Sequence, residues 1–265
     1  MASVFRADPD NVGDWWSAPF RWFPLRPSTV YDLIDARQDF ADEKIVVVGG
    51  GGLGTSFFKA HIERLKRADR PYKLIAWGVG VDEVRERGAI LDSGKDYELF
   101  GTWFDGFDDV GIRAFSENQK YRWVPCASCM APAFFKLRAT RPDRRIGLFQ
   151  HMNVPLAIAP GGEILTTGNR GKNLTEKLEF LARHEFIVTN TYHGVYWATL
   201  LNRKVLCVPF KSGLFSFKHR PVYLKSPEIG DAALAAARAY PESLDEAREA
   251  NIAFYRDLIG KYGDI

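Results

Sequence analysis

Short apolar strands that hand over directly to helices constrain this chain most. In FIVTNTYHGVYWATLLNRKVLCVPF, residues 186–210, the first three residues read as a buried strand, 195–201 as a short helix and 204–210 as the next strand. A strand, a helix and a second strand of this kind form a crossover unit, so the two strands run parallel in one sheet. His193 and Gly194 fall at the turn between strand and helix. Ligands collect at the carboxyl ends of strands in such units, which makes His193 a candidate functional residue. Local packing or help in capping the helix is the plain alternative for a single histidine.

The same alternation runs along the rest of the chain. KIVVV (44–48) is a strand that enters GGGGLG (49–54), and a helix is expected over 56–67 with Phe57, Phe58, Ile62 and Leu65 at helical spacing. Further strands are expected at 73–78, 110–115 and 122–125, with a helix at 82–92. A polar break at Pro142, Asp143, Arg144 and Arg145 precedes a new strand, IGLFQH (146–151). The segment 152–172 reads as a loop and 173–184 as a helix. An alanine-rich helix at 232–239 and a final helix at 242–261 follow the second strand–turn–helix unit. The expected fold class is α/β, with two Rossmann-like domains facing a cleft and parallel sheets flanked by helices. The domains are residues 1–142 and 143–265, with the final helix free to pack back on the first.

Charge narrows the function. Thirty-six basic against 33 acidic residues give a net charge of +3, too balanced for nucleic acid, so any basic patch is local and suits a small anion. The start of the chain has no apolar core run behind a basic stretch, and no run approaches the roughly 20 residues that cross a bilayer. A cytoplasmic protein is expected. Its three cysteines, Cys126, Cys129 and Cys207, fit a reducing compartment. The lone CxxC lacks the second pair or spaced histidines of a zinc site, so these are taken as packing cysteines and no metal is expected. Trp15, Trp16, Phe20, Trp22 and Phe23 cluster near the start, suited to the core, to stacking on a sugar or to contact with the cytoplasmic face of a membrane.

Three segments can carry chemistry. Gly50, Gly51 and Gly52 follow a strand, where glycines let the backbone approach a ligand and aim N–H groups at anions. No Gly-Lys-Ser/Thr follows, so this is no Walker A loop. Gly49, Gly51 and Gly54 loosely fit a dinucleotide fingerprint, but Ile75, Ala76 and Trp77 stand where the acidic ribose partner belongs. In NVGDWWSAPF, Asn11 and Gly13 form a polar loop with Asp14, a candidate catalytic carboxylate or helix N-cap. After the His193 unit come Lys211, Lys218, His219 and Arg220, cations at a strand end that suit phosphate or carboxylate.

Taken in order, these pieces resemble the polysaccharide pyruvyl transferase family, which has a two-domain fold similar to GT-B glycosyltransferases. The matching residues are NVGD (11–14), VVVGGGGLG (46–54), GVG (78–80), GIR (111–113) and IVTNTYHGVYWATLLNRKVLCVPF (187–210). The last resembles a family element written R-L-H-G, except that Thr191 and Tyr192 stand for the arginine and leucine. The resemblance implies transfer of pyruvate from phosphoenolpyruvate to a saccharide acceptor, forming a cyclic ketal, with no cofactor beyond the donor. It implies His193 and Asp14 as catalytic residues. Gly194, Arg113, Arg170, Lys211, Lys218 and Arg220 would hold the donor, all but Arg113 on the second domain. Asn11, Gly13, Gly50, Gly51 and Gly52 would line the acceptor side on the first. A lipid-linked acceptor would bring the protein to the inner membrane. Two alternatives stay open: a nucleotide-sugar glycosyltransferase, for which Glu163 and Glu176 are the acidic residues available to a ribose, and a non-catalytic glycan-binding protein, which the missing arginine at position 191 favours.

Overall fold

The computed structural model describes residues 1–82, 103–115, 120–157, 164–209, 216–226 and 228–263. Within them lie two sheets, each parallel throughout. The first holds β1 (Ala2–Phe5), β2 (Thr29–Asp32), β3 (Ile45–Gly49), β4 (Lys73–Val79), β5 (Asp109–Ile112) and β6 (Arg122–Trp123), in the order β2-β1-β3-β4-β5-β6. The second holds β7 (Arg144–Gln150), β8 (Leu165–Gly168), β9 (His184–Thr189), β10 (Lys204–Cys207) and β11 (Val222–Tyr223), in the order β11-β10-β9-β7-β8. The chain is therefore α/β and compatible with a Rossmann-like fold, with every first-sheet strand before residue 142 and every second-sheet strand after 143.

Alternation within the strands explains why both sheet faces are covered. Val46, Val48, Leu74 and Ala76 point into one cluster with Ile62 and Leu65 of α2 (Lys59–Leu65). Their neighbours Ile45, Val47, Ile75 and Trp77 point to the opposite face, into a cluster with Phe254 and Leu258. A period of two with apolar residues in both phases is what a parallel strand between two helical layers requires. The second sheet repeats the arrangement. Phe149, Ile187 and Val205 pack with α4 (Leu174–Ala182) and α5 (Tyr192–Leu200), while Leu148, Phe186 and Leu206 pack with Leu234 of α6 (Asp231–Ala236). A short helix α3 (Ala133–Arg138) precedes β7.

The last helix, α7 (Ser243–Tyr262), packs on both clusters that face it. Leu244 and Ala247 sit in the core of the second sheet, Phe254 and Leu258 in that of the first. Between them the fully buried Asn251 accepts a hydrogen bond from Trp77 Nε1 (2.8 Å) and donates to Pro125 O (3.1 Å). A buried amide with its bonds satisfied fixes the helix in one rotation and one register.

The sequence reading differs in places. The helix expected over 56–67 is a 3-10 turn at Ser56–Phe58 followed by α2. β1, β2, β8 and β11 were not expected: they are four residues or fewer, and β2 and β8 have no fully buried residue, so little apolar pattern marks them. β10 stops at Cys207 instead of continuing to 210. The helix expected at 82–92 lies, after Asp82, outside the described residues.

Candidate functional site

Both sheets have a switch point, where the chain leaves one strand for a neighbour on one side and later returns to the other side. In the first it lies between β1 and β3, in the second between β7 and β9. Loops part there at the carboxyl ends of the strands and leave a crevice. A cavity of about 310 Å³ takes its lining from both: Arg6 follows β1, Gly52 follows β3, His151 follows β7, and Thr191, Tyr192 and His193 follow β9. Leu53, Phe57 and Phe58 give it an apolar side, and Asn11, Asp14, Thr55, Asp82, Arg113 and Asn169 complete its polar wall. The volume is that of a small-metabolite pocket.

On the first-sheet side, Asn11 caps the single-turn helix α1 (Val12–Trp15). Its Oδ1 accepts from Gly13 N (3.1 Å) and Asp14 N (3.4 Å). The cap itself is tied to the second sheet. Val12 N donates to Asn169 O (2.9 Å), and Asn169 Nδ2 donates to Asn11 Oδ1 (3.4 Å). Asp14 was a candidate N-cap; the structure gives that task to Asn11, whose Nδ2 donates to Asp14 Oδ2 (2.8 Å) and aims the carboxylate. Burial in the cavity lining raises the Asp14 pKa to about 6, against the opposing pull of Arg113. Arg113 is buried, with its guanidinium 3.9 Å from the centre of the Tyr192 ring, and has no carboxylate within ion-pair distance among the described residues. Arg6, the other cation of the lining, is committed to Asp32 (2.5 Å) and Asp8 (3.6 Å).

On the second-sheet side, Thr191 is the N-cap of α5, its Oγ1 accepting from Gly194 N (2.8 Å). The residue that replaces the family arginine thus satisfies the helix terminus, and His193 takes no part in capping. His193 is buried with its ring 4.7 Å from that of Trp197 and its Nε2 3.5 Å from Cys126 Sγ. On the other edge it lies against Gly13, where an added Cβ would fall 2.1 Å from Nδ1, so glycine at 13 makes room for the imidazole. Burial first, and the charge of Arg113 second, push its pKa well below the usual 6.5, so the ring is neutral at pH 7.

The remaining sequence-predicted residues divide. Asn11, Gly52 and Arg113 line the cavity with Asp14 and His193. Gly50 and Gly51 adopt positive φ (68° and 82°) and shape the turn behind it, and Gly50 N is spent on Trp77 O. Gly194 packs against Thr189 and Phe149 rather than facing the cavity. Arg170 is exposed and bridges to Asn11 through the backbone. Lys218 pairs with Glu246 (2.9 Å), and Arg220 is exposed on the same loop; neither is in the lining. Lys211 and Glu163 lie outside the described residues, and Glu176 pairs with Lys177. The N-terminal aromatics pack largely on one another and on the core, Trp16 on Trp22 and Phe23 on Trp77, and none lines the cavity. All three cysteines are free and buried, and the described residues contain no group of three or more His, Cys, Asp or Glu able to hold a metal ion. No helix among them is long and apolar enough to cross a membrane.

Arg6, His151, Asn169 and Tyr192 were not singled out. Three of them follow the ends of β1, β7 and β8, so strand-end position was a usable signal for β7, the one of those strands that the sequence revealed.

No protein-family model matches this chain, and no curated protein matches it. Among solved structures it is similar to an uncharacterized protein from Klebsiella pneumoniae, with 18% identity over 79% of this chain and 83% of that one and a TM-score of 0.46.

Proposed function

We propose that the chain is a pyruvyl transferase working on phosphoenolpyruvate and a saccharide diol in a cleft between two Rossmann-like domains. The observation that carries this reading is the grouping, in one cavity, of a buried arginine with no ion pair among the described residues, a carboxyl group with pKa raised to about 6 and a neutral histidine. Ketal formation needs an anion clamp, an acid strong enough to protonate an enol carbon, and an acceptor for a hydroxyl proton.

Arg113 clamps the donor carboxylate or phosphate, strengthened by its low-dielectric setting on the Tyr192 ring. Asp14, protonated, delivers its proton to the methylene carbon, and the adjacent carbon becomes oxocarbenium-like. A sugar hydroxyl bonds to that carbon and its proton passes to His193. The bound phosphate offsets the positive charge of Arg113 and raises the basicity of the imidazole when it is needed. A second hydroxyl then displaces phosphate, which leaves with the proton held by His193, while the second hydroxyl proton returns to Asp14. One diol and one phosphoenolpyruvate thus become one ketal and one hydrogen phosphate.

Thermal-shift titration with phosphoenolpyruvate, and with nucleotide sugars as comparators, tests the reading. Stabilisation by phosphoenolpyruvate, lost in Arg113→Ala, is expected; stabilisation by a nucleotide sugar alone would overturn it. One observation favours a second reading, a non-catalytic glycan-binding protein: Thr191 caps a helix where the family has arginine, and Lys218 is committed elsewhere, so the lining is short of cations. That reading expects glycan binding with no phosphoenolpyruvate response.

A further inference from the structure

Phe57 is the one apolar residue of the cavity lining whose side chain is largely exposed among the described residues, at 72%. It is not a stray surface residue. Thr55 caps the 3-10 turn that carries it, accepting from Phe58 N (3.4 Å), and Phe58 meets its ring edge to face at 4.9 Å between centroids. The turn therefore presents an exposed aromatic ring in the same lining as the hydroxyl of Thr55.

We infer that Phe57 is the stacking platform for the acceptor, a pyranose ring. This rests on the transferase reading for its role in a reaction but not for the binding itself. A pyranose has one face of C–H groups and an equator of hydroxyls. An aromatic face covers the former without requiring hydrogen bonds, and the Thr55 hydroxyl in the same lining, which accepts from Phe58 N, has a proton to donate to the latter. A phosphate has no apolar face to cover, so the platform is unsuited to the donor. Stacking also orients the ring, so the residue sets which pair of hydroxyls is presented to the donor carbon and acts on acceptor specificity.

Saturation-transfer NMR on the full chain with methyl glucoside, methyl galactoside and methyl mannoside provides the test, alongside a phosphoenolpyruvate thermal shift. Transfer to the ring C–H protons of at least one glycoside is expected. Phe57→Ala should weaken it about tenfold, the scale of one stacking contact. Phe57→Trp should retain it, and the phosphoenolpyruvate shift should be equal in all three proteins. Equal transfer in Phe57→Ala, or transfer to none of the glycosides, would overturn the inference. So would Phe57-dependent transfer to the uracil ring of uridine diphosphate in place of a sugar. Phe57-dependent glycoside transfer without any phosphoenolpyruvate shift would leave the platform standing and remove the pyruvyl-transfer reading. Because the side chain is so exposed, the melting temperature of Phe57→Ala should match the parent and separate lost binding from lost folding.

Discussion

The two switch points contribute unlike chemistry to one cavity. The first-sheet side brings charge: Arg6, Asp14, Asp82 and Arg113. The second-sheet side brings no carboxylate and no arginine or lysine among the described lining residues: it contributes Asn169, Thr191, Tyr192, His151 and His193, the last kept uncharged by burial and by Arg113. The helix termini explain part of the difference. On the second side α5 begins at the cavity with its first turn already capped by Thr191, whereas on the first side Asn11 caps α1 and also orients a carboxylate. Equivalent topological positions therefore do not imply equivalent roles. The sequence alone placed most of the anion-holding residues on the second half, whereas Arg113, on the first, is the one of those cations found in the lining among the described residues.

The largest effect expected from breaking this asymmetry is at Arg113. Arg113→Ala should abolish phosphoenolpyruvate stabilisation and lower kcat/KM by about 100-fold or more, since a buried charged contact is worth roughly 2–5 kcal/mol. Arg113→Lys should restore little, because an ammonium neither stacks on Tyr192 nor offers a planar fork. Steady-state phosphate release and thermal shift read both variants.

Asp14→Asn should separate stability from activity. Below pH 3.8 the carboxyl is protonated in folded and unfolded chains alike. Between 3.8 and about 6 the folded chain keeps a proton that the unfolded chain has lost, so this group makes stability fall as pH rises, and above about 6 the deficit is constant. Replacing it should therefore stabilise the protein at pH 7–8 by on the order of 2 kcal/mol, with the gain vanishing near pH 4. Denaturant unfolding across that range measures it. Turnover should be lost, and in the parent kcat/KM should decline as pH rises past about 6; a rate that is flat there would remove Asp14 as the acid.

Gly13→Ala tests the seam between the two sides. Its Cβ would fall on His193 Nδ1, so a cost of about 1–3 kcal/mol and displacement of the imidazole are expected, visible as a shifted His193 ring signal by NMR. The smallest effect should be at Thr191. Loss of its cap in Thr191→Ala should cost roughly 1 kcal/mol in a thermal melt and leave phosphoenolpyruvate binding within about twofold of the parent. A large loss of binding would mean that the second side holds the donor after all.

Much of the fold was legible because it is local. The runs at 45–48, 74–77 and 186–188 are apolar in both phases of the strand period, and the handover at His193 is visible in ten residues. Short or exposed strands such as β1, β2 and β8 were not, since their place depends on neighbours far along the chain. The site was legible in part. Asn11, Asp14, Gly52, Arg113 and His193 do meet, but Lys218 is drawn off by Glu246, and Arg6, His151 and Asn169 join through strands or loops that carry little pattern of their own.

By itself, the sequence determined the alternating α/β order and the strand-end position of His193, because burial periodicity and turn chemistry act within a few residues. Only the tertiary structure decided that Gly13 packs against His193, that Arg113 lies on Tyr192, and that Asp14 rather than His193 titrates near pH 6. Ionisation depends on the solvent removed and the charges brought near by residues scores of positions away, and no local pattern encodes that distance.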